Sequence, residues 1–176
     1  MRANGNSAAL ADEFIRGAKD NGGEVSEVVL KDKQIKDCLG CGACQRNGGQ
    51  CVQKDDMTAL YAQLKEADVI ALASPVYFYT WTSLMKRMLD RTFAVEGLLQ
   101  NKTFCLLSAG AAPEEKYMHT MIDSFTQYVD CFRAGGNVIG GYVFAYGTNK
   151  PGDAAHSDAA KQAYALAKKL LTEENV

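Results

Sequence analysis

The sequence predicts one α/β domain spanning residues 1–176, a parallel β-sheet sandwiched between helices. Three observations carry that prediction. Apolar runs and helical stripes alternate from end to end. Two of the runs, Val69 to Ala73 and Thr103 to Leu107, are apolar at consecutive positions, as in strands covered on both faces. No repeat, low-complexity tract or linker divides the chain, and its 47% hydrophobic and 23% charged residues are the balance of one ordinary globular domain.

Each element follows from a local pattern. Leu10, Phe14 and Ala18 recur four residues apart between Ala8 and Asn21, with Ala11 and Ile15 beside them, which predicts a helix with Ser7 as its N-cap. Asn21-Gly22-Gly23 stops it, and the β-branched run Val25 to Leu30 reads as a short strand. A cysteine-rich segment follows, broken by Gly40, Gly42, Gly48 and Gly49, a density that suits a loop wrapped closely around something. Asp55-Asp56 opens a helix carrying Met57, Leu60, Tyr61 and Leu64 on one face. The run Val69 to Ala73 is a strand ending at Ser74-Pro75, and a helix from Thr82 to Arg91 comes next. Thr103 to Leu107 is the second such strand, ending at Ser108-Ala109-Gly110. A helix from Tyr117 to Cys131, a strand from Val138 to Tyr146 and a helix from Ser157 to Leu171 complete the chain.

Composition narrows the function. Nineteen Lys and Arg against twenty-one Asp and Glu leave a net charge of −2, without the basic surplus that nucleic acid or an acidic membrane surface would attract. No apolar run reaches the length of about 20 residues that a membrane helix needs, and the polar start lacks the core of a secretory signal. The expected location is therefore cytoplasmic, where disulfides rarely persist. Of six cysteines, Cys105 and Cys131 sit among apolar neighbours and read as buried small hydrophobes. His119 and His156 read as surface or capping residues, and no catalytic acid or base is assigned.

In open parallel sheets, ligands bind outside the carboxyl ends of the strands. Arg2, Asn4, Gly5, Asn6 and Ser7 precede a helix whose first amides are free, an arrangement that fits a phosphate cradle or an ordinary cap. The loop Ser74-Pro75-Val76-Tyr77-Phe78-Tyr79-Thr80-Trp81 carries an aromatic density that suits a flat aromatic ligand, a cover over the sheet end, or a dimer contact. Ser108, Ala109 and Gly110 offer small side chains that let backbone approach a ring. Cys38, Cys41, Cys44 and Cys51 follow the spacing Cys-x2-Cys-x2-Cys-x6-Cys. Three thiols in quick succession and a fourth nearby suit an iron–sulfur cluster better than the separated pairs of structural zinc. Another metal, a redox pair and inert thiols are the alternatives.

Taken together, these residues resemble the flavodoxin-like NAD(P)H-dependent FMN reductases, and within them the iron–sulfur flavoproteins. The likeness rests on Arg2 to Leu10 as the end of a phosphate loop, on Cys38 to Met57 as a cysteine loop leading into Lys54-Asp55-Asp56-Met57, and on Ser74 to Tyr79 with Leu84 to Arg91 as a flavin loop and the helix behind it. It implies a flavodoxin-like three-layer sandwich that binds FMN and passes electrons from NAD(P)H to a small-molecule or protein acceptor, as a homo-oligomer. Arg2, Asn4, Asn6 and Ser7 would hold the phosphate. Ser74, Pro75, Val76, Tyr77, Phe78 and Tyr79 would meet the flavin ring, the amides of Val76 to Tyr79 facing its polar edge. Ser108, Ala109 and Gly110 would flank the other side, and the four loop cysteines would hold a [4Fe-4S] cluster. The segment Phe93 to Leu99 adds apolar surface for the subunit contact. One departure stands out. The family begins with a central β-strand and the first part of the phosphate loop, and this sequence begins after both. Either its first residue lies downstream of the natural start, or it is a shortened member with altered strand pairing. The rival readings are a non-enzymatic flavodoxin-like electron carrier and a cysteine-loop metal or redox sensor.

Overall fold

A computed structural model of the chain describes residues 4–173. Helix α1 (Asn6–Asp20) is followed by a short helix α2 (Ala43–Arg46) inside the cysteine loop, then by α3 (Met57–Glu66), β1 (Val69–Pro75), α4 (Ser83–Arg91), β2 (Thr103–Ala109), α5 (His119–Asp130), β3 (Val138–Ala145) and α6 (Asp158–Glu173). The sheet has the order β1-β2-β3 and is wholly parallel. Val69 lies opposite Thr103 and Pro75 opposite Ala109; on the other side Thr103 meets Val138 and Ala109 meets Ala145. All three strands therefore end together, and their following loops open on one edge of the domain.

The apolar patterns sort the helices into two layers. Leu10, Phe14 and Ala18 of α1 and the alanines Ala159, Ala163 and Ala167 of α6 bury against Cys105, Leu107 and Val143. Met57 and Leu60 of α3, Met85, Met88 and Leu89 of α4, and Met121 and Phe125 of α5 pack on the opposite face, against Ile70, Leu72, Phe104 and Leu106. In α4 the first turn is fixed by Thr82, whose hydroxyl accepts from the Met85 amide at 3.3 Å.

Four local expectations change. Residues 25–29 form no strand, and a single 3-10 turn takes Leu30–Asp32. A strand must pair its backbone, and in the flavodoxin-like order this segment has one neighbour, the central strand. Among the described residues nothing occupies that place, so a β-branched run alone does not suffice. For the same reason β1 is an edge strand: Ile70 and Leu72 are buried, while Ala71 on its other face is exposed. Helix α1 starts at Asn6 with Gly5 as N-cap, which places Ser7 in the first turn and buries it. Cys131 is exposed just past the end of α5, its thiol donating to the Gln127 carbonyl at 3.3 Å, because the helical stripe of Met121, Phe125 and Val129 turns position 131 away from the core. Cys105 is buried as expected.

Candidate flavin loop and cysteine loop

Beyond β1 the chain makes a tight hairpin. The Tyr77 amide donates to the Thr80 carbonyl at 3.0 Å and the Thr80 amide returns a bond to Tyr77 at 3.1 Å. The two residues at its tip, Phe78 and Tyr79, both have left-handed backbone, at φ of +48° and +66°. A turn of that shape favours Asn-Gly, and an aromatic residue there is strained by roughly 1–2 kcal/mol. Phe78 is 99% exposed, and Tyr77 and Tyr79 are about half exposed at 54% and 55%. Strain and exposed aromatic surface coincide at one point, on the sheet edge where ligands of this architecture sit. The amides of Val76 and Tyr77 are engaged, with the Ala109 and Thr80 carbonyls. Those of Phe78 and Tyr79 have no backbone acceptor among the described residues and can face a polar ring edge, and the hairpin fits a flat heteroaromatic group.

The other ring-loop residues form the frame around this hairpin. Ser74 and Ser108 are buried: the Ser108 hydroxyl donates to the Ser74 carbonyl at 2.7 Å, and Ser74 Oγ accepts from the Thr82 amide at 3.4 Å. Trp81 is buried on Phe125, and its indole N–H donates to Ser124 Oγ at 2.9 Å. Pro75 ends β1 in register with the buried Ala109. At Gly110 a side chain would sit 2.9 Å from Met118 Cε and 3.4 Å from Val76 Cβ, so the absence of a Cβ lets the loops after β1 and β2 close on each other. The Gly110 carbonyl accepts from Thr148 beyond β3.

Of the predicted phosphate residues, Arg2 lies outside the described residues. Asn4 is exposed, with φ of +56°. Asn6 is committed to the frame: its amide donates to the Lys150 carbonyl at 3.0 Å and its oxygen accepts from the Ala154 amide at 3.1 Å. These bonds fasten the start of α1 to the loop after β3, and so to the sheet edge that carries the hairpin.

The cysteine loop is built differently. Gly40, Gly42, Gly48 and Gly49 all take left-handed backbone. At Gly49 a Cβ would also strike the Ala94 carbonyl at 2.7 Å, so the loop lies directly on the segment after α4. Cys44 and Cys51 rest half-buried against the core, whereas Cys38 and Cys41 are exposed. Among the described residues no three Cys, His, Asp or Glu side chains converge closely enough to hold a metal ion. The donor chemistry and backbone freedom fit a thiolate-held cluster, but the sulfurs are not gathered.

Below the loop lies a feature the sequence patterns did not single out. The Arg91 side chain, 1% exposed, makes a two-pronged pair with Asp55, 3% exposed, at 2.7 and 3.1 Å. Arg91 Nη1 also donates to the Lys36 carbonyl at 2.8 Å, and Nη2 reaches Cys51 Sγ at 3.5 Å. Asp55 accepts in addition from the amides of Lys36 and Met57. Burial pushes the Asp55 carboxyl up, but the bonds from Arg91 and the two amides outweigh it and hold it below its ordinary range. The guanidinium, disfavoured by burial, is held charged by Asp55. Tyr61, whose hydroxyl donates to the Arg91 carbonyl at 3.0 Å, is pushed up to about 12, chiefly by burial. The signal was an Asp four residues after the cysteine run and an Arg closing the next helix but one. Nothing in either pattern says that the two meet.

Known proteins share stretches of this sequence and its fold. Residues 1–150 match the family described as NADPH-dependent FMN reductase. An iron–sulfur flavoprotein of Archaeoglobus fulgidus is 40% identical over 90 residues, covering 51% of this chain and 40% of the relative. Another from Methanocaldococcus jannaschii is 33% identical over 113 residues, 63% of this chain and 58% of the relative. The chain thus spans about half the length of the curated relatives it matches. Among solved structures, RosB with a bound 8-demethyl-8-formylriboflavin-5′-phosphate superposes with a TM-score of 0.77 at 17% identity, over 98% of this chain and 73% of that one. This likeness concerns the fold, and the structural neighbours are flavodoxin-like.

Proposed function

Because this chain belongs to the NADPH-dependent FMN reductase family, we propose that it is an FMN-dependent oxidoreductase. It takes electrons from NAD(P)H and passes them to a small-molecule or protein acceptor. The observation that carries this reading is the hairpin: two aromatic residues held in left-handed backbone, one of them fully exposed, at the carboxyl end of β1. FMN, when bound, supplies the hydride acceptor. The chain's part is binding and orientation. Tyr77, Phe78 and Tyr79 offer ring surface, and the Phe78 and Tyr79 amides offer donors for the polar edge. Val76 and Gly110, in contact across the sheet edge, set how close the two flanking loops stand. Asn4, Ser7 and the open amides of the first turn of α1 receive the phosphate, together with Arg2, while Asn6 fixes that turn in place.

The four loop cysteines are proposed to hold a [4Fe-4S] cluster, which requires residues 38–51 to draw the sulfurs together. The names of the relatives and the spacing support this. A homo-oligomer is proposed from the apolar surface: Phe78, Phe93 and Leu98 stand exposed, although Ala94, Val95 and Leu99 of the same segment are buried. Sedimentation as a dimer or larger at micromolar concentration is the expected result.

The experiment is reconstitution with FMN followed by NADPH and NADH oxidation. The expected results are flavin absorbance bands that survive gel filtration and consumption of the nicotinamide on addition of a quinone or dye. Tyr77→Ala and Phe78→Ala are each expected to weaken FMN by about fivefold, the worth of one stacked ring at about 1 kcal/mol. Unchanged affinity in both variants would remove the hairpin from the site.

A further inference from the structure

We propose that Arg91 is a positioning residue of the cysteine loop: its buried guanidinium, fixed by Asp55, ties the two stems of the loop together and holds the Cys51 sulfur at a set point beside a positive charge. The second half of this inference rests on the cluster reading above; the first half does not.

The geometry supports each part. Lys36 lies two residues before Cys38, and Asp55 lies four residues after Cys51. Arg91 bonds both at once, so one side chain closes the base of the loop. Arg87, one turn earlier on α4, adds a bond to Asp37 at 2.7 Å on the same stem. The tip of the loop is left open, with Cys38 and Cys41 exposed and left-handed glycines on either side of α2. Cys51 is therefore the thiol tied to the base of the loop, and Cys38 and Cys41 are the exposed ones. The helix that supplies Arg91 is capped by Thr82, whose amide meets Ser74 behind the aromatic hairpin. One rigid element thus sets Cys51 relative to the hairpin, about 13 Å of helix away.

Stability alone does not account for the pair. A buried Arg–carboxylate pair gains little over apolar residues of similar volume, because desolvation opposes the attraction. Arg91 also keeps an unused donor: its Nε is the one buried side-chain nitrogen or oxygen without a partner among the described residues. A buried cation whose Nη2 lies 3.5 Å from a sulfur is suited to favour extra negative charge on that sulfur. In a cluster held through Cys51 it favours the reduced state and raises the reduction potential.

Two readouts test the two halves on the full chain. The variants are Arg91→Lys, which keeps the charge but loses the fork, and Arg91→Met with Asp55→Met, which removes both charges together so that neither is left unpaired. In reduced, metal-free protein, iodoacetamide labelling at about pH 9.5, above the ordinary thiol range, reads access to each cysteine. Cys51 is expected to react at least about tenfold more slowly than Cys38 in the wild type, from burial and anchoring. In both variants that ratio is expected to fall toward one. After anaerobic reconstitution with ferrous iron and sulfide, the cluster of the double variant is expected to be about tenfold harder to reduce, about 59 mV lower for one electron. Arg91→Lys is expected to keep the wild-type potential, a separation of charge from clamp that a merely structural residue would not give. Cys51 equally protected in all three proteins would overturn the positioning role, and an unmoved potential in the double variant would overturn the electrostatic one. Negligible iron in the wild type would remove the cluster reading, and the labelling would still decide whether Arg91 holds Cys51.

Discussion

The aromatic hairpin and the cysteine loop are both short, irregular and held by α4, yet they are stabilised in opposite ways. The hairpin is strained at its tip and firmly framed at its base, by the Ser74–Ser108 bond across the sheet and by Trp81 on Ser124. The cysteine loop takes its left-handed turns at glycine, where they cost nothing sterically, and is clamped by one buried ion pair below the stems. A framed, strained tip is preorganised for a ligand that arrives whole. A relaxed tip on a clamped base suits a group that is assembled in place.

The largest expected effect is on the clamp. Asp55→Ala leaves the Arg91 charge buried and unpaired, which costs on the order of 3–5 kcal/mol, against an effect of about 1 kcal/mol or less for an exposed pair such as Lys116 with Glu114. Urea denaturation is the measurement, and a loss below about 1 kcal/mol would contradict the buried geometry. The same pair sets an acid limit. The Asp55 carboxyl is held low in the folded chain, so its contribution is complete above the unfolded value of about 3.9. That contribution is lost as the pH falls through the lower folded value. In Asp55→Asn that part of the acid dependence is expected to vanish.

The second effect runs the other way. Replacing Phe78 and Tyr79 by Asn and Gly gives the turn the residues its backbone favours, and is expected to stabilise the ligand-free protein by about 2 kcal/mol. FMN affinity is expected to fall at the same time. A chain that gains stability and loses flavin would show that the strain serves binding; a gain with FMN affinity intact would sever the two.

The two regions were unequally legible in sequence. Consecutive apolar positions marked β2, and spacing marked α1 and α3, because those signals depend on local periodicity alone. The aromatic loop was legible by composition, but the left-handed backbone at Phe78 and Tyr79 was not, since neither is a residue type that announces such a turn. Val25 to Leu30 misled because strand formation depends on a neighbour rather than on the run itself. Cys131 misled because apolar neighbours in sequence are not neighbours on a helix face. Asp55 and Arg91 were each visible as part of a motif, and their meeting was not, because 36 residues of chain separate them.

The smallest effect tests the frame. Trp81 closes the return limb of the hairpin, with its ring tilted against Phe125 and its N–H on the Ser124 hydroxyl at 2.9 Å. Ser124→Ala removes that acceptor and leaves a buried indole donor unpaired, at a cost of about 1 kcal/mol in global stability. The cysteine loop shares no bond with this contact, so Cys51 labelling should not change. FMN affinity should fall slightly, by no more than about fivefold, because Trp81 directly precedes the N-cap that positions α4. If Ser124→Ala alters Cys51 labelling as strongly as Arg91→Lys does, α4 transmits changes between the two sites, and their separation into a framed tip and a clamped base fails.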